Sequence, residues 1–196
     1  MSRSTSTKRS TPISFFPDCP VKRKARRDAL RDGRQPGPEP LPLVVNGWSL
    51  YAYPDFAERL RTLREEVERQ RRRDPERYRG TPAAKLLAAL RRVALTEIPS
   101  GPGASRFRQG GTLGRQHRFW RRAKFLGRFR LFFRYNANAR VIVYVWLNDE
   151  STLRKEGSRT DPYHVFRDML ERGRPPADWN ELIDASAPVA PGDADS

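Results

Sequence analysis

Apolar positions recur along this chain in two rhythms, and the change from one to the other marks out a series of elements. Trp48 to Tyr53 alternates large and small residues like a strand, and Pro54 ends it. Asp55 is then placed to cap a helix on which Phe56, Leu60, Leu63 and Val67 fall at helical spacing, with Asp74-Pro75 as its stop. Thr81 and Pro82 form a cap and first-turn pair, and the helix they open carries Leu86, Leu87, Leu90 and Val93 on one stripe. The two helices read as an antiparallel pair. Pro99 to Gly114, rich in Gly, Pro and Arg, reads as a loop.

Beyond this loop the period changes to two. Short runs near 119–126 and 128–135 flank Gly127 as the strands of a hairpin. In the second run Arg128, Arg130, Phe132 and Arg134 alternate with Phe129, Leu131, Phe133 and Tyr135, so the strand has an apolar face and a basic one. A turn at 136–139 leads to Val141–Leu147, a run too continuously apolar for an exposed edge and therefore a central strand. The last helix starts at Asp161-Pro162, places Val165, Phe166, Met169 and Leu170 on one face, and ends at Gly173. The order β-α-α-β-β-β-α predicts an α+β domain with its helices on one face of an antiparallel sheet.

Composition sets the boundaries. Residues 1–43 are dominated by Ser, Thr, Arg and Pro and are expected to form a disordered basic extension, while 181–196 is expected to be an acidic disordered tail. The folded domain is assigned to residues 44–180. Of the net charge of +16, the first 43 residues hold +6, residues 44–174 hold +15, and residues 175–196 hold −5. A folded part this basic suits a polyanionic partner, and nucleic acid leads membrane surfaces and acidic proteins as the candidate. Cys19 is the single cysteine, which excludes an intramolecular disulfide framework and a cysteine zinc site. No apolar run is long enough to cross a bilayer, and a reduced, cytoplasmic protein is expected.

The charge is concentrated where the chemistry is expected. From Ile98 to Asn148 there are eleven Arg and Lys residues and no Asp or Glu. Arg122 and Lys124 lie two apart on the first hairpin strand and so share a face, as do Arg128, Arg130 and Arg134 on the second. A fixed guanidinium meets a phosphate with two donors at once. Lys124, crowded by arginines, would have its charged form disfavoured and so act more readily as a base. The competing reading is a solvated basic face that attracts RNA without sequence preference.

Five collinear motifs then carry a resemblance. Val-Asn-Gly-Trp-Ser-Leu-Tyr-Ala (45–52), Asp-Pro-Glu-Arg-Tyr (74–78), Gly-Arg-Phe-Arg-Leu-Phe-Phe-Arg-Tyr (127–135), Trp-Leu-Asn-Asp-Glu-Ser-Thr-Leu-Arg (146–154) and Arg-Gly-Arg-Pro-Pro-Ala-Asp-Trp (172–179) resemble the YhaV toxins. These belong to the RelE-like ribonuclease superfamily of toxin–antitoxin systems. The resemblance covers about residues 44–180. It implies a RelE-like fold with an antiparallel sheet against an N-terminal helical pair and a C-terminal helix. It also implies an endoribonuclease that cuts mRNA, at the ribosome, without metal or other cofactor, and a PrlF-type antitoxin with an AbrB-like fold. As site residues it implies Arg122 and Arg130 first, then Arg154 and Tyr163; with Lys124 these are the expected catalytic residues, and Arg115, Arg118, Arg121, Arg128 and Arg134 are expected to hold RNA.

Each residue has a plainer role beside this one. Arg154 can be a surface residue of a helical turn, and Tyr163 can pack in the core instead of stacking on a base. His117 and His164 invite an acid–base pair, but they fall in a loop and on a helix, and nothing in the sequence pairs them. Asp149-Glu150 invites a metal, and Asp149 as a helix cap ahead of Ser151 and Thr152 is the better reading. Trp179 is expected to pack the C-terminal segment on the domain. Three function classes remain: a metal-independent toxin endoribonuclease, a non-catalytic RNA- or ribosome-binding protein, and a metal nuclease built on Asp149 and Glu150.

Overall fold

A tight turn opens the fold. Asn46 and Gly47 both take positive φ (50° and 76°), the geometry that joins two strands with matching twist. It links β1 (Val44–Val45) to β2 (Trp48–Ala52). The computed structural model describes residues 41–152 and 161–191. The basic extension assigned to residues 1–43 lies almost wholly outside them. Leu43 is already held in the fold, donating its N–H to the Val189 carbonyl and accepting from Leu50 N–H.

Helix α1 (Pro54–Arg73) begins one residue earlier than the cap assigned to Asp55. Tyr53 is the N-cap and Pro54 takes the first turn, where its missing N–H is not needed. Asp55 lies in that first turn and favours the positive end of the helix. Helix α2 (Pro82–Arg92) starts as its sequence indicates, with Thr81 accepting from Ala84 N–H, and runs on into a wider π turn at Val93–Glu97.

The hairpin is β3 (Arg121–Phe125) and β4 (Phe129–Asn136), followed by β5 (Val141–Leu147). The strand order is β1-β2-β5-β4-β3, so β5 is central, as its unbroken apolar run requires. The sheet is not purely antiparallel. β2 runs parallel to β5, Ser49 facing Val141 and Ala52 facing Tyr144. A parallel pair needs a long crossover, and the helical pair and the hairpin lie within it.

The helices occupy both faces, not one. On the first face α1 and α2 bury Phe56, Leu63, Leu86, Leu87 and Leu90 with Leu50, Leu131, Phe133, Ile142 and Tyr144 of the sheet. The Tyr144 hydroxyl donates to the Ala94 carbonyl, tying the central strand to the π turn. The second face carries α3 (Pro162–Glu171) and α4 (Trp179–Asp184), whose Tyr163, Phe166, Leu170 and Leu182 pack with Trp120, Phe132, Val141, Val143 and Val145.

The acidic tail expected from residue 181 is also corrected. Leu182 and Val189 are buried, and β6 (Ala187–Pro188) pairs with the end of β2. Leu182 and Val189 pack into the core while Glu181 stays exposed and Asp184 only partly buried, a division that charge alone does not show.

Candidate nucleic-acid interface

The hairpin is shaped by its tip. Leu126 and Gly127 both take positive φ (45° and 74°), and Arg128 N–H closes the turn on the Leu126 carbonyl. Glycine adopts this conformation without strain, whereas Leu126 does so with its side chain half exposed. Arg128 therefore stands in the turn rather than in β4, with its side chain exposed. From there β3 and β4 pair in register, Lys124 opposite Arg130 and Arg122 opposite Phe132.

Opposed residues of an antiparallel pair share a face. Arg122, Lys124, Arg130 and Phe132 thus lie on the side of the sheet that α3 covers further in. Arg121 faces Phe133 instead, and its guanidinium sits 5.8 Å from the centre of the Tyr135 ring on the helical-pair side. It does not join the Arg122 surface.

Arg122 has the geometry expected of an anion-binding group. Its side chain is half-buried, and Nη1 donates to the Arg106 carbonyl at 3.3 Å. Nε is buried and makes no hydrogen bond among the described residues. The bond to Arg106 fixes the orientation of the guanidinium, whose side chain remains partly exposed. Lys124 is exposed beside it on the same face.

Two of the expected arginines have other duties. Arg130 does not project from an open face: it is 2 % exposed, and Nη1 bonds back to the carbonyls of Gly127 (3.0 Å) and Phe129 (2.9 Å). Its charge-assisted bonds hold the hairpin tip. Arg134 lies among rings, 4.2 Å from Phe119, 5.3 Å from Trp120 and 5.4 Å from Trp179, and donates to the Ala177 carbonyl at 2.7 Å. Burial pushes its pKa below the usual guanidinium range and Asp178 opposes that shift. Arginine still stays charged at neutral pH. Arg134 pins the Pro-rich segment before α4 onto the sheet, and Trp179 packs as the sequence suggests.

The loop before β3 extends the basic surface. Arg115 and Arg118 are exposed on and after a short 3-10 turn, Arg115–His117. Gln109 fixes this loop, donating to the His117 carbonyl and accepting from Leu113 N–H, and Arg167 of α3 donates to the Thr112 carbonyl. Arg108 bridges to Arg121 across the open edge of β3, and Arg106 lies over the Phe107 ring at 4.6 Å. Neither was singled out from sequence, although both belong to the acid-free stretch.

Tyr163 is 6 % exposed with its ring edge-on to Phe132 at 5.8 Å, so it is first a core residue. Arg154 lies outside the described residues. Burial, reinforced by Arg167, lowers the His117 pKa below its ordinary value, with Glu171 opposing, while His164 is exposed on α3. Asp149 caps a turn rather than a described helix. Burial raises its pKa, but bonds from Ser151 and Thr152 outweigh that and hold the carboxyl below the usual range. Among the described residues no three His, Cys, Asp or Glu side chains cluster as a metal site, and no helix is long and apolar enough to cross a membrane.

Fold and surface together define an α+β protein that presents a basic, acid-free sheet edge to a nucleic acid. The family model described as "Toxin with endonuclease activity, of toxin-antitoxin system" (Toxin_YhaV) matches residues 50–187. The chain is 48% identical over 144 residues to "Ribonuclease toxin YhaV" of Escherichia coli strain K12, covering 72% of this chain and 94% of the relative. "Toxin YhaV" of Escherichia coli O157:H7 matches with the same identity and coverage. This chain belongs to the YhaV family of endonuclease toxins from toxin–antitoxin systems. No solved structure matches it.

Proposed function

We propose that this toxin arrests growth by cutting mRNA in the cytoplasm, at the ribosome, through a metal-independent transfer at the 2′-hydroxyl. The observation that carries the reading is Arg122, a half-buried guanidinium on the edge strand, held by the Arg106 carbonyl in a stretch that has no acid. The scissile phosphate lies against Arg122. The 2′-oxygen attacks phosphorus as its proton passes to a base on the same face, the role proposed for Lys124. The bond to the 5′-oxygen breaks, and that oxygen takes a proton as it leaves. The products are a 2′,3′-cyclic phosphate and a 5′-hydroxyl. Arg122 stabilises the charge that builds on the non-bridging oxygens. Arg115, Arg118 and Arg128 hold the flanking backbone, and Arg154 completes the set in this reading.

Incubation of the purified protein with single-stranded RNA in excess EDTA tests the chemistry. Cleavage should persist, the fragments should carry 2′,3′-cyclic phosphate ends, and DNA of the same sequence should stay intact for want of the nucleophile. Cleavage abolished by EDTA would favour a metal nuclease using Asp149 and Glu150, and binding without cleavage would favour an RNA-binding protein.

The partner reading rests on charge. Residues 44–174 carry +15 and repel themselves, and an acidic partner relieves that while covering the RNA surface. The antitoxin is proposed to be of the PrlF type, with an AbrB-like fold and an acidic segment. Its co-expression should restore growth and raise the soluble yield of the toxin. Recovery of the toxin from such cells without a small co-encoded protein would count against this partner.

A further inference from the structure

Asn148 is fully buried at the end of β5, where the backbone leaves the sheet for the turn at Asp149–Thr152. Its side chain makes three hydrogen bonds to backbone. Oδ1 accepts from Arg130 N–H at 2.6 Å, and Nδ2 donates to the carbonyls of Arg128 and Thr152, each at 3.2 Å.

The pattern has a definite meaning in ladder terms. Leu131 faces Leu147, so the next antiparallel pair would be Arg130 with Asn148, followed two residues on by Arg128 with Glu150. In an unbroken ladder Arg130 N–H would bond to the main-chain carbonyl of Asn148, and the Arg128 carbonyl would receive the N–H of Glu150. The carboxamide supplies both, as acceptor to the first and donor to the second. Its remaining N–H ties down the turn through Thr152. Asn148 N–H still reaches the Arg130 carbonyl at 3.4 Å.

We infer that Asn148 is a positioning residue for RNA cleavage, a side-chain extension of β5 that keeps the base of β4 in ladder geometry up to the hairpin tip. Lys124 is opposite Arg130, Arg128 forms the turn, and the Arg130 guanidinium bonds the tip carbonyls, so the segment held by Asn148 carries the basic groups beside Arg122. The inference rests on the hairpin being the site of cleavage. Asn148 itself touches no substrate.

Asn148→Asp tests it. The substitution is isosteric and keeps the acceptor for Arg130 N–H, but it turns an oxygen toward the Arg128 and Thr152 carbonyls. Assayed on single-stranded RNA at a temperature where circular dichroism shows the variant folded, kcat should fall about 10²-fold, the cost of a small misplacement of catalytic groups. RNA affinity should change far less than kcat, because every basic side chain remains and the substitution adds at most one buried carboxylate. A purely structural role would lower the unfolding temperature and leave kcat per folded molecule unchanged, and that result would overturn the inference.

Should Asn148→Asp fail to fold, the smaller uncharged variant Asn148→Ser is assayed in the same way, and kcat per folded molecule equal to that of the parent would overturn the inference. Cleavage that survives Arg122→Ala would overturn the site reading itself, whatever Asn148 does.

Discussion

Replacing Arg122 with Ala should slow RNA cleavage by about 10²–10³-fold and abolish growth inhibition, the usual loss for one preorganised oxyanion donor. The guanidinium is already fixed by the Arg106 carbonyl, so little reorganisation is needed when charge develops on the phosphorane. Folding should survive, because Arg122 belongs to neither hydrophobic cluster and its guanidinium bonds to the Arg106 carbonyl, outside the sheet. The check is single-turnover cleavage together with circular dichroism of the variant. Near-parental cleavage by a folded Arg122→Ala would remove this residue from the site. Arg130→Ala is a poorer test: Arg130 is buried and bonds two carbonyls at the hairpin tip, so lost activity would be mixed with lost structure.

The largest expected effect on stability is at Phe166. Its ring is fully buried in α3, stacked on Phe132 at 4.1 Å and on Trp146 at 5.9 Å, with Trp120 edge-on at 5.3 Å. Phe166→Ala should cost about 3–5 kcal/mol, the sum of lost burial and the cavity left among rigid rings. The surrounding aromatics have few other rotamers with which to fill the gap, which favours the upper part of that range. Urea unfolding followed by tryptophan fluorescence measures it. Activity should fall with stability, because Phe132, beneath Phe166, is directly opposite Arg122 in the hairpin. A loss below ~1 kcal/mol, as at a surface position, would show that α3 is not seated on this face of the sheet.

Local pattern placed the elements well because each periodicity reports one geometry. The stripe of Leu86, Leu87 and Leu90, the Thr81-Pro82 start and the period-two run from Phe129 all appear as read. The β1–β2 hairpin went unread even though Asn46-Gly47 is a strong short-range turn signal. Alternation could not tell which arginines of the basic face stay accessible. Arg122 and Lys124 lie on β3, at the edge of the sheet, whereas Arg130 and Arg134 lie on β4, inside it, Arg130 buried and bonded to the hairpin tip and Arg134 among the rings of Phe119, Trp120 and Trp179. Asn148 was invisible for a related reason: one polar residue at the end of an apolar run looks like a strand end until the bond partners of Arg128 and Arg130 are known.

What the sequence determined by itself was local and cumulative: the helices, the strands, the acid-free basic stretch, and the five motifs that point to the toxin family. Each depends on residues close together in the chain or on a sum over them. Tertiary structure alone decided which strand is the edge, that β2 runs parallel to β5, that helices cover both faces, and that Leu182 and Val189 draw part of the acidic terminus into the fold. The physical reason is that a strand's pattern records how many of its faces are buried, but not what buries them. That choice is made between segments far apart in the chain, and here it separates a partly exposed guanidinium on the edge strand, Arg122, from a buried one bonded to the hairpin tip, Arg130.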